Sequence, residues 1–338
     1  MKNSIFTFLF AFVIFHLSAQ DTFSIIAADP TTGEIGAAGA SCVDGIAGFG
    51  GIKLLNEIIP GKGGVNAQAT VCLNPHINLN LGIQQMQAGL SPSEIIDWLK
   101  LNDGCSAQNF NPAFRQYGIV DFDSDMNVRV AAHTGVNTDD YKNHIIGPNY
   151  AIQGNILLGQ QVLDGMEDGF NNTNGSLAEK LMGAMQGANI PGADSRCLAR
   201  GTSSTSSFLR IVKPTDTPGN PFLELDVLEM PFGEEPIDSL QVLFDEWFAT
   251  TSSQNIETEH KIEIIPNPSS ETISFKTIAD LDVSRITFYN SQGLIVQEEK
   301  TGDLINNQLN ISNLANGIYF IKLSFNTGGH QVLKFFKS

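Results

Sequence analysis

The stretch that most restricts the fold is residues 21–42, DTFSIIAADPTTGEIGAAGASC. Its first half carries Phe and Ile in a strand-like run, and its second half, IGAAGAS, is apolar but built from very small side chains. Between them lie Asp29, Pro30, Thr31, Thr32 and Gly33. Proline presets φ for a turn and glycine accepts φ > 0, so the whole stretch predicts a β-hairpin. A strand made of Gly and Ala also predicts that another element packs closely against it.

The pattern continues with strand-like residues 65–73, then helices over 77–88 and 91–101. The second helix opens with Ser91, Pro92, Ser93 and Glu94, a capping serine with proline in the first turn. Strands follow at 116–122 and 128–133, joined by a turn at 123–127, with a short strand at 150–153. A second helical pair covers 155–170 and 176–188, and strands return at 206–212 and 222–228. The last helix of this region, 237–248, places Leu240, Leu243, Phe244 and Trp247 at core spacing. Paired helices between antiparallel strand pairs predict two sheets face to face with helices outside, an α+β sandwich.

The pattern then changes. Residues 250–260, TTSSQNIETEH, are polar and aperiodic and read as a linker. From residue 261 short alternating strands follow at 262–265, 272–276, 285–290, 294–298, 308–311, 317–325 and 331–336. Seven short strands separated by turns predict a small all-β sandwich. With 338 residues, 42% hydrophobic and 16% charged, the chain can fill two cores. The expected domains are therefore 21–249 and 261–338.

Residues 1–20 carry the parts of a secretory signal peptide: Lys2, an apolar run over 5–17, and Ser18, Ala19 and Gln20 for cleavage. The run is short for a membrane span, and no other stretch is long enough, so no stable span is expected. Export places Cys42, Cys72, Cys105 and Cys197 in an oxidising setting, where four cysteines allow three pairings. Cys42 and Cys72 lie in strand-like runs and Cys105 and Cys197 in polar loops, which favours 42–72 and 105–197.

A net charge of −17 without any basic cluster argues against nucleic acid and anionic membranes as partners. Self-association into an oligomer stays open. The glycines at 45–51 and 61–64 lack dinucleotide and Walker spacing, so no cofactor is expected. Asp121, Asp123, Asp125 and Asn127 alternate as in a calcium loop. Met126 stands where that loop needs glycine, however, and Ala132 where it needs glutamate, so a hairpin turn accounts for them better. His133 and His144 have no metal-ligand spacing, and no metal site is expected. No G-x-S-x-G elbow occurs.

Two resemblances add to this reading. Ile265, Pro266, Asn267 and Pro268, the run ITFYNSQG at 286–293, the run LANGIYFIKL at 314–323 and KFFK at 334–337 together resemble the sorting domain of the type IX secretion system of Bacteroidetes. That resemblance implies handling by the type IX machinery and delivery outside the cell or to its surface. The first domain resembles domain-of-unknown-function family 1028, grouped with the N-terminal-nucleophile (Ntn) hydrolases. The residues that carry this are Thr22, Phe23, Ser24 and Ile25, Asp29 with Pro30, Gly33 and Gly36, and Gln68. Further on they are QYGIVD at 116–121, Thr134 with Gly135, QGNIL at 153–157, and Asp194, Ser195 and Arg196. The resemblance implies a four-layer αββα Ntn-hydrolase-like sandwich.

In such a fold Thr22 is the candidate nucleophile. A threonine hydroxyl needs a nearby base, and a free α-amine on the same residue, with pKa about 7.7–8.0, supplies one. Signal cleavage after Ala19 or Gln20 leaves residues in front of Thr22, so activity requires a further cut at Asp21–Thr22. Asp194 and Arg196, with Ser203 and Ser204 nearby, orient a nucleophile or bind a carboxylate; a solvated surface pair is the alternative. Gln153 and Asn155 are candidate amide donors to substrate, while Asn155 equally suits an N-cap of the helix that follows. The functional expectation is an exported amidohydrolase or peptidase acting on a small extracellular amide or peptide. The alternative is a non-catalytic ligand-binding domain that retains the fold.

Overall fold

The computed structural model describes residues 22–73, 75–254, 262–276, 283–290, 295–300, 308–325 and 330–338. The signal segment and residues 255–260 of the expected linker lie outside them. The chain divides into two compact units after Phe244.

In chain order the first unit runs β1 (Thr22–Ala28), β2 (Ile35–Ser41), β3 (Asn56–Ile59), β4 (Gly63–Ala69), α1 (Ile77–Gln87), α2 (Pro92–Leu101), β5 (Arg115–Phe122) and β6 (Val128–Thr134). It continues through β7 (Asn143–Ile146), β8 (Tyr150–Gly154), α3 (Gln160–Asn172), α4 (Leu177–Gly187), β9 (Ser206–Val212), β10 (Leu223–Val227) and the beginning of α5 (Pro236–Gln254), the helix within which the division falls. The helix α5 thus extends through residues 250–254 of the expected linker. The strands β3 and β7 have no counterpart in the sequence pattern. Each has four residues and sits at the edge of its sheet, too short to establish an alternation.

β1 and β2 form the expected hairpin, in register from Thr22↔Ser41 to Ala28↔Ile35. Asp29 closes its turn by accepting the Thr31 amide at 2.8 Å and the Thr32 hydroxyl at 3.1 Å. The hairpin lies within a six-stranded antiparallel sheet of order β10-β9-β2-β1-β8-β7; a second sheet has order β3-β4-β5-β6. The sheets meet where β1 touches β4 and β5, and where β8 touches β5. The helices α1 and α2 pack on the four-stranded sheet, α3 and α4 on the six-stranded one. The small residues of β2 answer to α4: a Cβ at Gly36 would stand 2.6 Å from Leu181 Cδ1.

Alternation along the strands sorts side chains into separate interiors. Val65, Ala67, Tyr117 and Ile119 join Leu79, Met86, Ile95 and Leu99 under α1 and α2. Ile26 and Ala28 join Ile58, Val120, Phe122 and Phe208 in a second cluster contributed by both sheets.

The second unit contains β11 (Glu263–Ile265), β12 (Thr272–Lys276), β13 (Val283–Asn290), β14 (Ile295–Lys300), β15 (Gln308–Asn310), β16 (Gly317–Phe325) and β17 (His330–Lys337). Sheets of order β11-β12-β15 and β14-β13-β16-β17 share one core built from Ile273, Phe275, Ile286, Phe288, Ile321, Leu323 and Phe335. Residues 291–293, an expected turn, lie outside the described residues.

The disulfides are Cys42–Cys197 and Cys72–Cys105, not the pairs expected from the sequence. Cys42 and Cys72 both follow strands, but those strands belong to different sheets. Cys42 directly follows β2 and pairs with Cys197 in the 3-10 turn Ser195–Arg200. Cys72 follows β4 and pairs with the loop beyond α2. That loop is organised by a buried ion pair: Arg115 Nε donates to Asp103 at 2.8 Å, with both side chains 1% exposed. The same guanidinium donates to the carbonyls of Thr70, Cys105 and Ala107. Asp103 also accepts from Asn78 and from the Cys105 amide. Removing one partner would strand a buried charge, so Asp103→Ala should cost about 3–5 kcal/mol. Denaturant unfolding of the first unit measures it.

His76 anchors the other side of α1. Its Nε2 lies 3.1 Å from the Ala67 carbonyl and its Nδ1 accepts the Leu79 amide at 3.3 Å, so the neutral Nε2–H tautomer satisfies both contacts. Burial lowers its pKa to about 4. The unfolded chain therefore binds this proton more readily than the folded one. The contribution is complete above about pH 6.5 and is lost as pH falls towards about 4, a cost of roughly 3 kcal/mol. The His76→Gln variant should show a weaker loss of thermal stability over that window.

Candidate functional site

The inner face of the hairpin changes character along its length. Ile26 and Ala28 enter an apolar cluster, whereas Thr22 and Ser24, on the same face, meet amides. The facing residues are Asn66 and Gln68 on β4 and Gln116 on β5, with Gln153 beside Ser24 on the neighbouring strand β8, and all are fully buried. Buried amides cost stability unless paired, and these are paired with one another and with nearby backbone, except for Gln153 Oε1, which has no hydrogen-bond partner among the described residues.

Gln68 is the centre of the group. Its Nε2 donates to the Thr22 carbonyl at 2.9 Å and to Gln116 Oε1 at 2.8 Å; its Oε1 accepts the Ser24 hydroxyl at 2.6 Å. The Ser24 oxygen in turn accepts from Gln153 Nε2 at 2.6 Å and Asn66 Nδ2 at 3.1 Å. Gln116 Nε2 reaches the Gly154 carbonyl and Thr134 Oγ1, both at 2.9 Å, and Thr134 Oγ1 lies 2.8 Å from His144 Nδ1. Burial lowers the pKa of His144. Close approach is built into this layer, because a Cβ at Gly118 would overlap the Gln153 carboxamide.

Thr22 begins β1 at one end of the layer. Its amide donates to Asn155 Oδ1 at 3.3 Å, while its carbonyl accepts from Gln68 and from the Asn155 amide. This corrects the capping expectation for Asn155. Ile156 takes a left-handed φ of 52°, Leu157 bridges to Asp194, and α3 starts only at Gln160, with Gly159 at its N-cap. The detour turns the Asn155 carboxamide back towards Thr22.

Across the hairpin, Ser41 pairs with Thr22, and the next residue, Cys42, donates its amide to Asp194 Oδ2 at 2.9 Å. Asp194 is fully buried and caps the Ser195–Arg200 turn. Arg196 grips it with two bonds, Nε to Oδ1 at 2.9 Å and Nη2 to Oδ2 at 2.6 Å. Ser203 donates its amide to Glu235 Oε2 at 2.6 Å and its hydroxyl to Oε1 at 2.5 Å, tying the approach to β9 to the start of α5. Thr22, Gln153, Asn155 and Asp194 are thus gathered around one end of β1 and β2. Arg196 joins them through Asp194, and Ser203 through the backbone bond from Asp194 N to Ser203 O, 2.9 Å.

Other charged side chains have structural partners. Lys53 sits in the 3-10 turn Ile52–Leu55, between Glu224 at 2.7 Å and Asp226 at 3.2 Å. Asp123 accepts the amides of Asp125 and Asn127, the geometry of a hairpin turn, and Asp121 pairs with Arg129. Sequence reasoning assigned no role to Ser24, Asn66, Gln68 or Gln116. Their signal is an alternation of polar residues on otherwise apolar strands, 22/24 and 66/68.

The molecule is thus a mixed α+β protein with several sheets, two disulfides and a separate β-rich unit. The chain belongs to the family of unknown function DUF1028, whose match spans residues 22–240. Residues 263–337 match the secretion system C-terminal sorting domain. That domain implies handling by the type IX machinery and export to the cell surface or extracellular space, and two disulfides suit an exported chain. A crystal structure of a DUF1028 protein from Silicibacter pomeroyi aligns at TM-score 0.50 with 22% sequence identity, covering 67% of this chain and 88% of that one. At such identity the likeness concerns the fold alone. No curated protein matches the chain. Among the described residues no helix is long and apolar enough to cross a membrane.

The amide layer makes a direct prediction. Gln68→Met removes the donor to Thr22 and Gln116 and the acceptor for Ser24. Stranding these buried groups should cost about 2 kcal/mol or more, read as a lower denaturation midpoint of the first unit.

Proposed function

We propose that the first unit is an N-terminal-nucleophile amide hydrolase of αββα architecture, activated by hydrolysis of the Asp21–Thr22 bond. The layering supports this: two facing sheets have a pair of helices on each outer side. The observation that carries the reading is the contact between the Thr22 nitrogen and Asn155 Oδ1 at 3.3 Å, at the start of β1 and beside the amide layer.

Hydrolysis would turn that amide into an amine without moving it from Asn155. The amine takes the proton from Thr22 Oγ1 as the oxygen attacks a substrate carbonyl, then returns it to the leaving nitrogen. Water hydrolyses the resulting ester and restores the hydroxyl. Asn155 orients the amine, Gln68 holds the Thr22 carbonyl, and Asp194 with Arg196 fixes the turn beside Ser41. Gln153 supports β1 through Ser24. The substrate class is a small extracellular amide or peptide, and Ser203 supports the site through its backbone bond with Asp194.

A second reading, a ligand-binding domain that kept the fold without catalysis, is favoured by the complete burial of Thr22. Intact mass and N-terminal sequencing of the exported protein separate the two. The expected mature chain begins at Thr22; a chain beginning at Gln20 or Asp21 overturns the hydrolase.

A further inference from the structure

The outer surface of the second unit has a feature that its core does not need. Strands β16 and β17 pair in register Ile318↔Phe336, Phe320↔Lys334 and Lys322↔Val332. Alternation sends Tyr319, Ile321, Leu323 and Phe335 into the core. The opposite face presents Ile318 (40% exposed), Phe320 (39%), Val332 (50%) and Phe336 (41%). Lys334 shares this face, with its Nζ 5.1 Å from the centre of the Phe336 ring, and Lys322 lies in the adjoining row. These two strands carry lysines and no carboxylate residue, although the whole chain has a net charge of −17. In the row of Lys322, Glu298 on β14 lies 3.9 Å from Arg285. A contiguous exposed apolar patch of this kind marks an interaction surface.

The free edge of β17 offers a partner little access. Asn267 lies against it as a substitute peptide: its Nδ2 donates to the Lys334 carbonyl at 3.1 Å and its Oδ1 accepts the Phe336 amide at 2.9 Å. Ser269 continues the pairing, donating to the Phe336 carbonyl at 3.1 Å and accepting the Ser338 amide at 3.0 Å. Strand addition, the usual way to engage a sheet edge, is therefore blocked here by the chain itself.

We propose that the β16–β17 face is the surface by which the sorting domain docks on the type IX machinery. The complementary surface is apolar with carboxylates at its rim, matching Phe320 and Phe336 flanked by Lys322 and Lys334. The domain's match to a secretion sorting domain identifies the occupant, and with the β17 edge covered the exposed apolar face is what these two strands offer it.

The test uses the full chain in a host that carries the type IX machinery. One variant is F320S/F336S and a second, K322E/K334E, changes only charge at the surface; thermal unfolding of each checks that the domain is intact. Either change should lower the exported fraction about tenfold, with the protein retained in the periplasm. Wild-type export of the folded charge-reversal variant overturns the proposal. So does a change confined to self-association, measured by sedimentation, because the face would then serve a second copy of the chain.

Discussion

The first unit depends on a layer of side-chain amides buried between its two sheets. Ser24, Asn66, Gln68, Gln116 and Gln153 are buried, so their hydrogen bonds are made to one another and to the surrounding protein. That requirement fixes how the sheets face one another more strictly than apolar contacts do. Apolar side chains tolerate sliding, whereas the bond of Gln68 Nε2 to the Thr22 carbonyl at 2.9 Å does not. It also fixes register. A one-residue slip of β4 would turn Asn66 and Gln68 towards α1 and bring Val65 and Ala67 between the sheets.

At the same open end of the hairpin, the second strand is held by different chemistry. Beyond Ser41 the chain leaves the sheet, and the Cys42 amide is taken up by Asp194 rather than by a neighbouring strand. The same carboxylate caps the Ser195–Arg200 turn and receives Arg196, while the disulfide Cys42–Cys197 joins the two segments covalently. One buried carboxylate and one disulfide thus bring together segments 155 positions apart in sequence, beside Ser41. The position of Asp194 relative to Thr22 follows from this closure and does not rely on the loop's own preferences.

Much of the architecture was legible in the sequence because it rests on local rules. The 22–41 hairpin, the capped helix beginning at Pro92 and the alternating strands of the second unit are specified by turn residues, caps and period-two patterns. The disulfides were not legible, because pairing depends on which strands share a sheet. The path after Asn155 was missed for a related reason. Asparagine before a run of helix formers suggests a cap, but the Leu157 bridge to Asp194 delays the helix to Gln160. Of the candidate site, Thr22, Gln153, Asn155 and Asp194 were named from motifs. Gln68 had only its place in one of them, since its role depends on a partner 46 residues away.

An apolar filling of the same volume would serve stability at least as well, because exchanging both members of a buried hydrogen-bonded pair for apolar groups is often neutral or stabilising. Apolar groups cannot supply direction. With Gln68 on its carbonyl and Asn155 on its amide, Thr22 is fixed on both sides of its α-carbon, and its side chain can leave the backbone in only one direction. Of the residues that face the apolar cluster, Ala28 is held by a side chain on its carbonyl alone, from Asn149 Nδ2 at 2.7 Å. Side-chain bonds on both the amide and the carbonyl thus distinguish Thr22 from Ala28, at the other end of the strand. That difference within a single strand is the strongest physical reason to treat its first residue as the centre of the site.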